Sequence, residues 1–140
     1  MTDQATSLFD TGIERYKAGE SPETLIPLFK EICTLEPKDG TARSCLAWLY
    51  MLDNKSAQAL KAAQKAVKLN PTEPQARVNL AIAMLENRQT GVRQQIEAAQ
   101  QLMTTAAELE TQIQESLEEG LARKPDWDSL KRVKNWLFSS

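Results

Sequence analysis

A period of 34 residues constrains this chain more than any other feature of its sequence. The triplet Leu35-Glu36-Pro37 returns as Leu69-Asn70-Pro71, so two equivalent prolines lie 34 residues apart. When the two blocks are aligned on these prolines, each has a tyrosine 21 residues earlier, at Tyr16 and Tyr50. Each block also contains two amphipathic helical segments separated by a polar break. A period of this length is typical of repeat proteins, whose units bury a core only by stacking on one another.

Local signals predict where the helices begin within the blocks. In the first block, Ser21-Pro22 is a favourable helix start, because a proline in the first turn needs no amide partner. In the second block, Asp53-Asn54-Lys55 interrupts the helical pattern. A third block follows Thr72, which has the capping-box spacing to Gln75. Its first helix is predicted over residues 74–86.

These residues resemble the tetratricopeptide repeat (TPR) family, and in particular its small bacterial-type members. The resemblance covers about residues 6–110, with Gly12 where leucine is usual and Thr111 where the third terminal proline is expected. The residues that match the family pattern are Phe9, Tyr16, Phe29 and Pro37, then Leu46, Ala47, Tyr50, Ala59, Ala66 and Pro71, then Leu80 and Ala81. The resemblance implies an all-α fold of helical hairpins in a right-handed superhelical stack.

The C-terminal third departs from the family pattern. Residues 92–119 contain no proline or glycine and carry apolar residues at spacings of three and four, which predicts one long third-repeat helix. A last helix, Trp127 to Phe138, is predicted after Gly120 and Pro125, with an apolar stripe and a basic face. We interpret it as the capping helix that a repeat array needs, although a basic amphipathic helix that touches a membrane or a partner has the same pattern. The predicted organisation is a single TPR-like domain over residues 1–140, with repeats at about 6–39, 40–73 and 74–119 and a capping helix at 126–138.

The composition excludes most catalytic chemistry. The chain has no histidine, which rules out Ser-His-Asp and Cys-His nucleophile systems and His-ligated metal sites. Its five glycines form no phosphate-binding loop. Cys33 and Cys45 form no CxxC pattern and are predicted to be buried, inert thiols, because a redox switch needs exposure and a lowered pKa. We therefore expect no enzymatic activity, no cofactor and no metal.

The net charge restricts the classes of partner that this chain is expected to bind. With 17 basic and 19 acidic residues the net charge is −2, which disfavours a general binder of nucleic acids or anionic membranes. The first residues do not form a secretory signal, and the longest apolar run, residues 45–52, is far shorter than the roughly 20 residues of a membrane-spanning helix. We expect a cytoplasmic protein with no nucleic-acid partner. Membrane contact is expected at most peripherally, through the C-terminal helix.

The resemblance also implies a concave groove lined by the first helix of each hairpin. The predicted groove-facing positions are Ser7, Asp10, Glu14 and Lys17, then Thr41, Ser44, Trp48, Met51 and Leu52, then Gln75, Val78, Ile82 and Leu85. Within this set we predict an acidic entrance and an apolar floor that together bind a partner. The entrance is Asp10 and Glu14, and the floor is Trp48, Met51, Leu52, Val78, Ile82 and Leu85. An exposed apolar strip of this size usually marks an interaction surface.

One binding mode of the family is not expected. Some TPR domains bind the acidic C-terminal tails of heat-shock chaperones through a clamp of lysine, arginine and asparagine side chains. The corresponding positions here are Asp10, Glu14, Cys45, Val78 and Ile82. Acids and aliphatic side chains do not bind a terminal carboxylate, so we expect no binding of such tails.

The sequence thus predicts a non-catalytic protein–protein interaction module that acts as an adaptor, scaffold or assembly factor. Its partner would be a protein that places an apolar or helical segment in the groove, and no small-molecule substrate is expected. The alternative is a self-associating structural protein, such as a homodimer, whose groove is filled by its own C-terminal region or by a second copy.

Overall fold

The computed structural model describes residues 2–138, and within this range it contains eight helices and no strand. The helices are α1 (Asp3–Lys17), α2 (Pro22–Leu35), α3 (Gly40–Leu52), α4 (Ser56–Leu69), α5 (Pro74–Glu86), α6 (Val92–Met103), α7 (Ala107–Arg123) and α8 (Asp128–Phe138). The all-α prediction is confirmed. None of the described helices is both long enough and apolar enough to span a membrane.

The first six helices pair as three consecutive hairpins, α1–α2, α3–α4 and α5–α6. Pro22 and Pro74 lie in the first turns of α2 and α5, as predicted. The predicted Thr72–Gln75 capping box is wrong, because the residue that precedes α5 is Glu73 and its side chain does not cap the helix. Close approach of α4 to its neighbours is possible because Ala59, Ala63 and Ala66 are fully buried small residues.

The predicted long third-repeat helix is wrong, because the chain breaks between α6 and α7 at residues 104–106. The hydroxyls of Thr104 and Thr105 donate to the carbonyl groups of Gln101 and Leu102, three residues earlier. Ala106 then has an extended backbone, with φ −159° and ψ 133°. Threonine side chains favour such local bonds over a continuing helix, so two adjacent threonines end α6 without proline or glycine.

A third repeat-ending proline turn is present, and it lies at Pro125 rather than at position 111, where the family pattern has its proline. The backbone N–H of Asp39 donates to the carbonyl of Glu36, and the N–H of Trp127 donates to that of Lys124, both at 3.1 Å. Asn70 and Glu73 form the same turn at 3.3 Å. The turn that joins α7 to α8 around Pro125 therefore repeats the turns that join α2 to α3 and α4 to α5. Position 111, where the family pattern has its proline, forms no turn, because Thr111 lies inside α7.

The last two helices fold back onto the array. Helix α8 packs against α5, α6 and α7, and its apolar residues Trp127, Leu130, Val133 and Leu137 are buried. Trp127 directly precedes the helix, which begins at Asp128 rather than at residue 126 or 127. Helix α7 contacts α1, α3 and α5, the first helices of the three hairpins. We call the surface formed by α1, α3 and α5 the first-helix face.

Candidate protein-binding cleft

A cleft of about 590 Å³ lies between the first-helix face and α7. Its walls come from α1, α2 and α3, from the start of α5, and from one side of α7. The lining residues are Ile13, Tyr16, Lys17, Phe29, Thr41, Ser44, Cys45, Trp48, Leu49, Glu73, Gln75, Asn79, Gln112, Glu115, Ser116, Glu119 and Arg123. Clefts that bind small molecules have volumes of roughly 300–1,000 Å³, so this cleft is large enough to take in several side chains.

The middle of the cleft is apolar. Phe29 and Leu49 are buried core residues whose faces reach the cleft, while Ile13 and Cys45 are partly exposed beside them. The rings of Phe9 and Phe29 form an edge-to-face pair, with centroids 5.9 Å apart and an interplanar angle of 76°. This packing fixes the orientation of the floor, because an edge-to-face pair is a favoured arrangement of aromatic rings.

A chain of hydrogen bonds supports one end of the cleft. The side-chain amide of Asn79 donates to the hydroxyl of Ser44 at 2.9 Å and to its carbonyl at 3.2 Å. The amide of Gln75 donates to the side-chain oxygen of Asn79 at 2.8 Å. Ser44 and Asn79 are both buried, so these bonds satisfy polar groups that would otherwise be costly to bury. They also tie the start of α5 to α3.

Glu73 lies at the same end of the cleft and has a different environment from its counterpart in the preceding repeat. Asp39, one period earlier, caps α3 by accepting a hydrogen bond from the backbone N–H of Ala42 at 3.1 Å. The side chain of Glu73 makes no such cap, and it lines the cleft instead. Its Oε2 atom is buried and has no hydrogen-bond partner among the described residues. Burial raises the pKa of this carboxyl.

The other end of the cleft is held by a network around Tyr16. The indole N–H of Trp48 donates to the Tyr16 hydroxyl at 2.8 Å, and that hydroxyl donates to the carboxylate of Glu119. Arg123 forms an ion pair with Glu119, and its guanidinium lies 3.7 Å from the centre of the Tyr16 ring. Burial, together with the bond to Glu119, raises the pKa of Tyr16. The network joins α7 to α1 and α3.

The two cysteines are free thiols. Burial raises the pKa of Cys33, and it raises the pKa of Cys45 to about 12, with Glu73 and Asp39 adding to the effect. Both therefore stay protonated near neutral pH, and a protonated thiol is a poor nucleophile. Cys45 is partly exposed in the cleft, where it acts as an apolar wall residue.

The residues predicted to line one groove lie in different parts of the structure. The expected exposed apolar floor is wrong, because Trp48, Met51, Val78 and Ile82 are buried in the core that α7 and α8 complete. Leu52 and Leu85 are partly buried against that core, and Asp10 and Glu14 are exposed on α1, outside the cleft. Of the eight residues predicted to bind a partner, only Trp48 lines the cleft. Among the other positions predicted to face the groove, Lys17, Thr41, Ser44 and Gln75 also line it.

The α7 wall of the cleft was not predicted from the sequence. Gln112, Glu115, Ser116 and Glu119 recur at spacings of three and four, which is a continuous polar stripe along one side of a helix. In the sequence this stripe looks like an ordinary solvated face. Pro125 is the sequence feature that identifies the role of this stripe. A repeat-ending turn at Pro125 makes α7 a separate helix that packs back on the first-helix face.

The part of the chain that the structure describes holds no group of three or more His, Cys, Asp or Glu side chains placed to bind a metal ion. No protein-family model and no curated protein sequence matches the chain.

Solved structures do match the chain over nearly its whole length. One is the type III secretion translocator chaperone SycD from Yersinia enterocolitica, with a TM-score of 0.67 and 18% identity over 98% of this chain and 91% of that one. Another is PcrH from Pseudomonas aeruginosa, with a TM-score of 0.69 and 17% identity over 98% and 91%. A third is the first TPR domain of Spaghetti (RPAP3) bound to an HSP90 peptide, with a TM-score of 0.58 and 19% identity over 99% and 97%.

The chain has the TPR fold. At identities of 17–19% these likenesses show the fold alone. In this chain α7 and α8 cover part of the first-helix face and leave the cleft beside it.

Proposed function

We propose that this TPR chain is a non-catalytic protein–protein interaction module that binds a segment of a partner in the cleft between the first-helix face and α7. The observation that carries the proposal is the cleft itself, because it combines an apolar middle with polar and charged ends. Such a combination suits a short segment whose apolar side chains are buried while its backbone and polar groups are satisfied at the ends.

The cleft also has an accessible mouth. Thr41 on one wall and Gln112 and Glu115 on the other are exposed side chains that line it. A partner segment can therefore enter without unfolding the array.

The solved structures of the same fold support this kind of role. SycD is a translocator chaperone and RPAP3 holds an HSP90 peptide, so this fold serves protein partners in those cases. For this chain, a role as adaptor, scaffold or assembly factor is the corresponding proposal. Binding of an acidic chaperone tail is still not expected, since Asp10 and Glu14 are exposed acids and Val78 and Ile82 are buried.

A matched pair of variants tests the proposal. Gln112→Trp places a bulky side chain at the mouth of the cleft, whereas Thr111→Trp makes the same change at an exposed neighbour that does not line it. Affinity capture from the source cells, quantified by mass spectrometry, should recover a partner with wild type and Thr111→Trp but not with Gln112→Trp. Calorimetry with that purified partner should then show a loss of at least about tenfold in affinity for Gln112→Trp alone. Equal binding by both variants would place the interaction elsewhere.

The alternative function is a self-associating structural protein. It has two versions, and the one in which the chain's own C-terminal region fills the groove is favoured because α7 and α8 cover Trp48, Met51, Val78 and Ile82. Sedimentation velocity over a wide concentration range distinguishes self-association from partner binding, because a self-associating chain forms dimers or larger species as concentration rises and a partner-binding module stays monomeric.

A further inference from the structure

The charges that line the cleft are not balanced. Its lining holds three acids, Glu73, Glu115 and Glu119, and two bases, Lys17 and Arg123. Glu119 and Arg123 form an ion pair with each other. Glu73, Glu115 and Lys17 form no ion pair with any described residue, so the unpaired lining charge is two acids on the α5 and α7 walls against one base on α1.

Among the acids that line the cleft, Glu73 has a buried carboxylate oxygen, Oε2, with no hydrogen-bond partner in the described residues. Oδ2 of Asp39, its counterpart one period earlier, is also buried without a partner, but Asp39 accepts a bond through Oδ1, whereas the Glu73 side chain caps no helix. A carboxylate oxygen that is removed from water without a donor carries a desolvation cost. A donor on a bound segment can reach the part of the Glu73 carboxyl group that lines the cleft, and a cationic donor would stabilise its charged form best because charge-assisted bonds are the stronger ones.

The surroundings of Glu73 restrict what else the segment carries. The carboxyl lies near Cys45, and Cys45 and Ile13 are the partly exposed apolar residues of the same cavity. A segment that places a cation at Glu73 must therefore carry apolar side chains next to that cation.

We infer that the partner segment carries a lysine or arginine whose charged end binds Glu73, next to apolar side chains that pack on Ile13 and Cys45. This inference rests on the proposed function of the cleft. It also agrees with the unsuitability of the acidic chaperone tail, because a carboxylate placed beside Glu73 would be repelled.

Three peptides test the inference. Each has seven residues, is blocked at both ends, and alternates leucine with lysine, with glutamine or with glutamate. Fluorescence anisotropy at physiological ionic strength should show the Leu–Lys peptide binding wild type about tenfold more tightly than the Leu–Gln peptide, with the Leu–Glu peptide weakest. Glu73→Gln should remove this preference for lysine and leave the affinity of the Leu–Gln peptide unchanged.

A matched control separates a contact with Glu73 from general attraction to an acidic protein. Glu118→Gln removes one negative charge from an exposed side chain of α7 that does not line the cleft. It should leave the affinity of the Leu–Lys peptide within about twofold of wild type, since exposed charges are screened over a Debye length. An equal loss in Glu118→Gln and Glu73→Gln would overturn the inference, as would equal affinities of the Leu–Lys and Leu–Gln peptides.

The Gln112→Trp variant distinguishes failure of this inference from failure of the proposed function. If Gln112→Trp weakens all three peptides but the preference for lysine does not depend on Glu73, the cleft binds segments and only the inference is wrong. If Gln112→Trp weakens none of them, the cleft is not the binding site and both are wrong. A wild-type dimer that the Leu–Lys peptide dissociates would show that a second copy supplies the segment, which would overturn the assignment to a separate partner.

Discussion

Gly120 shows how a single residue sets the path of α7. A Cβ atom at this position would lie 2.7 Å from Trp48 Cζ2 and 2.9 Å from Leu130 Cδ1. Glycine inside a helix normally costs roughly 0.5–1 kcal/mol relative to alanine. The glycine is therefore retained for the close approach of α7 to Trp48, at a cost to the helix itself.

This close approach and helix propensity predict opposite effects of Gly120→Ala on stability. Propensity alone predicts that Gly120→Ala stabilises the protein, whereas the clash with Trp48 and Leu130 predicts a loss of about 1–3 kcal/mol in the free energy of unfolding. We expect the loss, because Trp48 is buried and held by its bond to Tyr16, so it has little room to move. Urea denaturation measures the difference. A higher urea midpoint in the variant would contradict the packing of α7 on α3.

Glu73 gives a second prediction at the residue scale, and it concerns pH. Burial raises the pKa of Glu73 from 4.5, so the folded chain binds the proton more tightly than the unfolded chain. The contribution of this group to stability is therefore fully present below pH 4.5 and is lost as the pH rises through the folded-state pKa. Glu73→Gln should raise the free energy of unfolding at pH 7 and leave it nearly unchanged at pH 4. Urea titrations of the two proteins at both values check this, and a gain that is equal at pH 4 and pH 7 would contradict it.

This second prediction has a use in the binding experiments. A variant that is at least as stable as wild type at pH 7 but binds the Leu–Lys peptide more weakly cannot have lost affinity by unfolding. Glu73 would then be a residue whose burial opposes stability and serves binding, which is a common trade-off at functional sites.

At the scale of elements, the sequence predicts the repeated hairpins well and the C-terminal third poorly. The 34-residue period and the proline starts of α2 and α5 are local signals, and the structure confirms them. The break between α6 and α7 depends on hydrogen bonds of two threonine side chains, which a search for proline and glycine does not detect. The cleft depends on where α7 returns, and that is set by contacts such as Tyr16 with Glu119, 103 residues apart. No pattern within one helix contains that information.

Helix α8 carries the prediction that belongs to this scale. Leu130 is fully buried, whereas Trp136 on the same helix is 39% exposed. If α8 closes the core, Leu130→Ala should lower the free energy of unfolding by about 2–5 kcal/mol, because it leaves a cavity next to Gly120 and the core. Trp136→Ala should change it by no more than about 0.5 kcal/mol, as expected for a surface substitution. Thermal or urea denaturation of both variants checks this, and equal small effects would indicate a helix that docks loosely.

At the scale of the whole molecule, the chain has two apolar cores that meet at α3. One is built by residues of α2 and α3, with α1 packed against it, and the other extends from α3 to α8. Tyr16 and Tyr50 pack against both cores. A repeat array normally couples each unit only to its neighbours. Here α7 adds a direct link between the two ends, since Glu119 and Arg123 bind Tyr16 in α1.

The link between the ends can be tested by removing Arg123. Arg123→Ala removes the ion pair with Glu119, the guanidinium over the Tyr16 ring and the bond to the Tyr16 carbonyl, but it leaves α3 to α6 untouched. Because local opening free energies set amide exchange rates, amides of α1 and α2 should exchange about tenfold faster or more in the variant, while those of α4 and α5 should keep their rates. The control is Arg132→Ala, which removes an exposed arginine of α8 and should change neither group. Hydrogen exchange followed by mass spectrometry resolves these segments. Unchanged protection of α1 in Arg123→Ala would mean that α1 and α2 are held by α3 alone, and that α7 lies over the first-helix face without joining its two ends.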